Sequence, residues 1–311
     1  MKRLFVLLLL ALAWASPSWA AYGHIRPVTI DHTKVPTSDQ TNFPVLFSGT
    51  YAYLATEANG GAVTSSSGYD IILTSDSACA TKLDHEIETY TATSGLVVFW
   101  VRVPTVATAT DTVIYLCYGD SGVTTTQEAI TGVWDANFKG VWHVPDGTTL
   151  TGLDSTSNNN DLTLTGTPTA IAAKVDGGAT VGASAKYLGA TLAATGTTNT
   201  ISAWVKFTSL PTASAGHHVA YAVGGGELFV QHNGSVPKFA VWGSAFAYGT
   251  TLSTGTWYYL TTTRNGTGAS GYLGYLNAVL DITTTRTDAD SDTPFRIGRK
   301  GNETNDMNGV V

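Results

Sequence analysis

The chain has 311 residues, 13% of them charged and 43% hydrophobic, with 33 glycines and a formal net charge of −7. So acidic a chain argues against binding nucleic acid or anionic lipid through a basic face, and nothing beyond its first twenty residues is long and apolar enough to span a membrane. Abundant Thr, aromatics and Gly-bounded turns, without a helical period, predict an exported all-β protein whose length suits two domains.

Met1-Lys2-Arg3 precedes an almost unbroken apolar run, Leu4 to Ala15, and then Ser16-Pro17-Ser18-Trp19-Ala20. A basic start, a core of about 12 apolar residues and small residues before the cut describe a signal peptide over residues 1–20, since a spanning helix needs about 20. The expected location is periplasmic, cell-surface or secreted. Removing the leader leaves 14 basic against 23 acidic residues, a formal charge of −9. In an oxidising compartment Cys79 and Cys117 are candidates for a disulfide, which would contribute about 3–4 kcal/mol. Two separate buried thiols remain the alternative, because spacing carries no geometry.

The first domain is placed at residues 21–131. His24 to Asp31 alternates as an opening strand, and Phe43 to Phe47 and Tyr69 to Thr74 follow. Leu96 to Val103 is nearly continuous in apolar residues, as in a strand covered on both faces, and Thr112 to Tyr118 closes the set. Short strands with turn signals between them predict a β-sandwich. Asn42-Phe43-Pro44-Val45, Tyr69-Asp70-Ile71, Asp84 to Glu88, Trp100 to Pro104 and Asp111 to Gly119 together resemble a bacterial exported domain of unknown function. That resemblance implies a β-fold and little chemistry, since no catalytic residues are established for the family.

Asp84, Glu86 and Glu88 alternate, so three carboxylates share one strand face. Retaining glycosidases need two carboxyls about 5–5.5 Å apart, which neighbours on a strand face approach. The alternative is a solvated acidic face on a half-buried strand, and it is the preferred one. Residues 120–131 read as a linker. Beyond it, Gly140 to Val144 is expected to open the next domain as a strand. Trp134 and Trp142 are candidates for fixing the domains together, and His143 for a hydrogen-bonded structural role.

The second domain, residues 132–311, centres on Thr200 to Thr208. Ile201, Ala203, Val205 and Phe207 lie on one face of that strand, and Ser202, Trp204, Lys206 and Thr208 on the other. Further strands are expected at Leu228 to Asn233, Lys238 to Trp242, Leu252 to Thr261, Tyr275 to Leu280 and Pro294 to Arg299. Together with the turn Asp154 to Leu162, this series resembles a laminin-G-like or concanavalin-A-like jelly roll. The resemblance implies two curved antiparallel sheets, often with a glycan or protein bound at one face, and sometimes calcium.

Two departures from the family are visible. Asn277-Ala278 stands where Asn-Gly is usual, and the chain stops inside what the resemblance makes its last strand, so a missing strand and an unpaired sheet edge are expected. The chain is thus expected to belong to a longer multidomain protein. No cofactor is required. Calcium is the one ion considered, with Asp154, Asn158, Asn160 and Asp161 as its candidate ligands. Asp288, Asp290 and Asp292 do not make an EF-hand, since Thr293 and Arg299 occupy the positions of its Gly and Glu. Sequons begin at Asn233, Asn265 and Asn302.

The function expected is a non-catalytic extracellular recognition module that binds a glycan or other extracellular ligand through Trp204, Trp242 and Arg264. A structural adhesin, envelope or virion-tail spacer is the second reading. A glycoside hydrolase is the third, without a convincing catalytic pair.

Overall fold

The computed structural model describes residues 22–144, 149–182, 186–193, 196–212, 216–222, 227–234, 236–243, 245–287, 293–299 and 306–311. The leader, Asp288, Asp290, Asp292 and the Asn302 sequon lie outside these. The first domain contains β1 (His24–Ile30), β2 (Gln40–Thr50), β3 (Ile72–Thr74), β4 (His85–Thr91), β5 (Leu96–Val106) and β6 (Thr112–Tyr118). They form two antiparallel sheets, β1-β6-β3 and β2-β5-β4. Leu54, Ile71, Leu73, Val97, Phe99, Val101 and Leu116 fill the space between them with no solvent exposure. β5 is the central strand of its sheet and nearly all of it is covered, which is why it reads as a continuous apolar run.

Cys79 and Cys117 are joined, with Cα atoms 6.1 Å apart. The bridge ties the loop after β3 to β6. Asp70 is fully buried just before β3. Its carboxylate accepts the backbone N–H groups of Thr64, Ser65 and Gly119, which satisfies the charge and locks the preceding turn.

A single helical turn, α1 (Ile130–Val133), leads out of this domain. Residues 140–144 are irregular, not the expected strand. Their hydrogen bonds go to a turn instead: Val141 N–H donates to Asp154, and the Val141 carbonyl accepts from Ser155 N–H.

The second domain contains β7 (Thr163–Thr165), β8 (Thr169–Ala172), β9 (Gly177–Val181), β10 (Tyr187–Leu192), β11 (Thr198–Ser209), β12 (Gly216–Ala222), β13 (Glu227–Asn233), β14 (Val236–Trp242) and β15 (Phe246–Thr251). It continues with β16 (Trp257–Asn265), β17 (Tyr272–Leu276), β18 (Val279–Thr284), β19 (Thr293–Ile297) and β20 (Asn308–Val310). Two seven-stranded antiparallel sheets result, β15-β14-β13-β12-β19-β10-β7 and β18-β17-β16-β11-β20-β9-β8. This is a jelly-roll sandwich. The alternation of β11 works as the sequence predicts: Val205 and Phe207 are fully buried with Leu260, Leu228, Val230, Phe239 and Val241 between the sheets.

The last strand, β20, is not an edge of its sheet. β20 lies inside its sheet, pairing β11 on one side and β9 on the other, and Val311 exchanges both backbone hydrogen bonds with Ala179. The turn at Asn277 and Ala278 keeps the two-residue hairpin geometry, with φ of 50° and 66°.

Candidate functional site

Cross-strand register decides what the outward face of the β11 sheet presents. Trp257, Lys206, Val310 and Thr180 stand in one row, from β16, β11, β20 and β9. Tyr259 and Trp204 form the next row, their ring centroids 5.2 Å apart. Ser202 pairs Thr261, and Thr200 pairs Thr263. Trp204 is half-buried, with the Lys174 ammonium 5.4 Å from its ring centre. Lys206 holds its ammonium 5.0 Å from the Trp257 ring centre. The face is thus a strip of aromatic rings, hydroxyls and two lysines.

A second aromatic surface lies on the other sheet. Trp242 is 42% exposed and Phe246, its partner across the β14–β15 hairpin, is 39% exposed. Their rings meet edge to face at 4.5 Å, and Tyr248 continues the row 5.9 Å beyond Phe246. Phe229, buried on the same face of the sheet, packs against Phe246 at 5.5 Å. The opposite face of these strands carries Val241 and Ala247 into the core, so the hairpin is held firmly while its aromatics face outward.

Arg264 does not join either surface. In β16 the inward positions are Tyr258, Leu260, Thr262 and Arg264, and the guanidinium-bearing side chain is only 2% exposed between the sheets. The strand's own period carries it there, out of reach of a ligand bound at the surface.

The three carboxylates of the first domain are not a solvated face. Asp84 pairs with Arg102. The side chains of Glu86 and Glu88 are 8% and 3% exposed, covered by residues from the junction. Glu86 accepts from Trp134 Nε1 at 2.8 Å and from Ser155 Oγ at 2.6 Å, and Glu88 accepts from Trp100 Nε1 at 2.7 Å. His143 sits between them, Nε2 at 3.2 Å from Glu86 and Nδ1 at 3.3 Å from Glu88. Nε2 is hydrogen-bonded to Glu86 and Nδ1 lies at ion-pair distance from Glu88, so two carboxylates face the ring and favour its charged form.

Burial opposes charge on His143, but the hydrogen bond and charge of Glu86, with the charge of Glu88, raise its pKa above the ordinary histidine value. Burial likewise opposes ionisation of Glu86, and the His143, Ser155 and Trp134 contacts outweigh it and lower the pKa. Glu88 is raised, chiefly by burial. The rings of Trp100 and Trp134 lie 5.5 and 5.7 Å from the His143 ring, and Thr89 donates to Asp176 across the same junction. These residues form a closed polar joint between the domains. They do not face a glycan cleft. Trp134 belongs to this joint, whereas Trp142 stacks on Phe295 and donates to the Asn160 carbonyl within the second domain.

The turn considered for calcium is satisfied from within. Asp154 accepts from the N–H groups of Val141, Thr156 and Asn160 and from the Thr156 hydroxyl. Asp161 accepts from Asp154 N–H, while the side-chain amides of Asn158 and Asn160 donate to the carbonyls of Phe138 and Lys139. Oxygens ringed by N–H and O–H donors suit a structural turn better than a hard cation. Asp31, His32 and Asp111 bring three potential ligand atoms within 4.8 Å, a grouping with no spacing signature in the sequence. There Asp31 caps a short turn through Thr33, and His32 Nδ1 meets Asp111 at 2.7 Å.

Residues 67–139 match the family model of a domain of unknown function (DUF2341), and residues 176–311 match Laminin_G_3, of the concanavalin A-like lectin/glucanases superfamily. No curated protein matches the chain. Among solved structures, domain 4 of AbnA, a GH43 extracellular arabinanase from Geobacillus stearothermophilus, determined with arabinotriose, is similar at 19% identity. That match covers 51% of this chain and 83% of that one, with a TM-score of 0.39. The binding domain of Paraclostridial Mosquitocidal Protein 1 is similar at 11% identity over 55% of this chain and 47% of that one, also at a TM-score of 0.39.

Proposed function

We propose that this chain, a DUF2341 domain followed by a concanavalin A-like domain, is a non-catalytic recognition module that binds carbohydrate through the aromatic surfaces of its second domain. The observation that carries the reading is the Trp242–Phe246 pair, two large exposed rings side by side on a strand pair whose other face is core. Exposed aromatics grouped on a rigid support mark contact surfaces, and their flat apolar faces suit the C–H faces of pyranose rings. The match of residues 176–311 to a concanavalin A-like lectin/glucanase model supports the reading.

A glycan array probed with the two-domain chain is the test. Binding to at least one glycan, weakened about tenfold or more in Trp242→Ala, is expected, since central aromatic anchors typically contribute over 1 kcal/mol. An array on which the intact chain binds nothing sinks the reading. A second reading, a spacer that presents other domains at a fixed angle, is favoured by the closed joint at Glu86 and His143, and the joint's response to pH is its test.

A further inference from the structure

The outward face of the β11 sheet differs in charge from the rest of the molecule. The whole chain holds 23 acidic residues against 16 basic, yet β8, β9, β11, β16, β17 and β20 contain no Asp or Glu. The sheet's single acidic residue, Asp281 in β18, is engaged with Thr250 of the opposite sheet. Asp176, close in sequence to Lys174, is engaged with Thr89 of the first domain. Among the described residues, the ammonium groups of Lys174, Lys186 and Lys206 lie on and around this face. Between Lys186 and Lys206 lies an open depression of about 310 Å³, to which Thr180, Thr208 and Asn308 also contribute.

We infer that this face binds an acidic polysaccharide, its sugar rings stacked on Trp204 and Trp257 and its carboxylates held by Lys174 and Lys206. The geometry discriminates between neutral and acidic sugars. Each tryptophan already has an ammonium group 5.0 to 5.4 Å from its ring centre. A neutral ring that stacked there would displace the cation and lose the cation–π attraction without replacing it. A uronate ring takes the same place while its carboxylate gives the displaced ammonium a new partner. The absence of carboxylates from these strands removes the repulsion that such a ligand would meet elsewhere on a chain of this net charge. This inference shares with the proposed function the premise that the second domain binds polysaccharide, but it concerns a different sheet and a different set of residues.

Affinity electrophoresis of the two-domain chain in gels containing polygalacturonate, neutral galactan or polyglutamate tests it. Polygalacturonate is expected to retard the protein, less so as salt is raised. Lys206→Met and Lys174→Met are each expected to weaken retention by up to about fivefold, the upper range for one exposed ion pair. Three results overturn the inference: no retention by polygalacturonate, equal retention by neutral galactan, or equal retention by polyglutamate, which carries carboxylates and no sugar. None of them touches Trp242-dependent binding on an array. Unchanged retention in both lysine variants also overturns it, and both sites are on the surface, where the fold is not at stake.

Discussion

At the residue scale, Ala278 shows how a local rule and a fold can disagree. Asn277 and Ala278 both adopt left-handed φ, and Asn277 anchors the turn by donating its backbone N–H to the Tyr259 carbonyl and accepting Tyr259 N–H on its side chain. Asn tolerates this conformation, whereas Ala meets a steric cost there of about 1–2 kcal/mol. Ala278→Gly is therefore expected to stabilise the domain by about 1 kcal/mol after the entropy of a freer unfolded chain is counted. Urea unfolding measures this, and a loss of stability would show that the turn relaxes in another way. The unfavourable residue was legible in the sequence, and so was the strand that holds Trp204. The inward position of Arg264 is also written in the sequence, since it shares the period of Leu260 in β16. The partners of His143 left no local signal. Glu86, its closest partner, is 57 positions away, and only tertiary folding brings the two together.

At the element scale, alternation located most strands, because a strand with one covered face writes that face into its sequence. It failed where hydrogen bonding rather than packing decides the local structure. Residues 140–144 have strand-like composition, yet the backbone groups of Val141 are taken up by Asp154 and Ser155. The short β3 is held from outside as well. Asp76 gathers the N–H groups of Ala78, Ala80 and Thr81 into a tight turn, and Cys79 then bridges to Cys117 on β6. The bridge closes a loop of 38 residues. Cys79→Ser, or reduction of the native chain, is expected to cost the first domain about 3–4 kcal/mol. Denaturant titrations with and without reductant measure it, and identical curves would mean that the loop is ordered without its covalent tie.

At the scale of the whole molecule, the two domains meet through a charged joint, and that makes their coupling depend on pH. His143 has a raised pKa, so its contribution is fully present below the ordinary histidine value of 6.5 and is lost as pH rises through the higher, folded value. Glu86 has a lowered pKa, so its contribution is present above the ordinary value of 4.5 and is lost as pH falls through the lower, folded value. Glu88, raised by burial, opposes full ionisation of the cluster. The joint is expected to be tightest at about pH 5–6 and to loosen on the alkaline side. Small-angle scattering from that range upward is expected to show increasing interdomain mobility as pH rises through the raised, folded pKa of His143, and His143→Ala is expected to abolish the change. A particle whose dimensions ignore pH would remove the joint as a rigid hinge. The position of β20 has another consequence, in time rather than in space. Asn308–Val310 fills the middle of a sheet whose neighbouring strands, β11 and β9, lie roughly a hundred residues or more earlier. Closing such long loops slows folding. As the chain is made, β11 and β9 must wait for this late segment with their inner edges unpaired, so the second domain completes its fold only after Val310 has emerged.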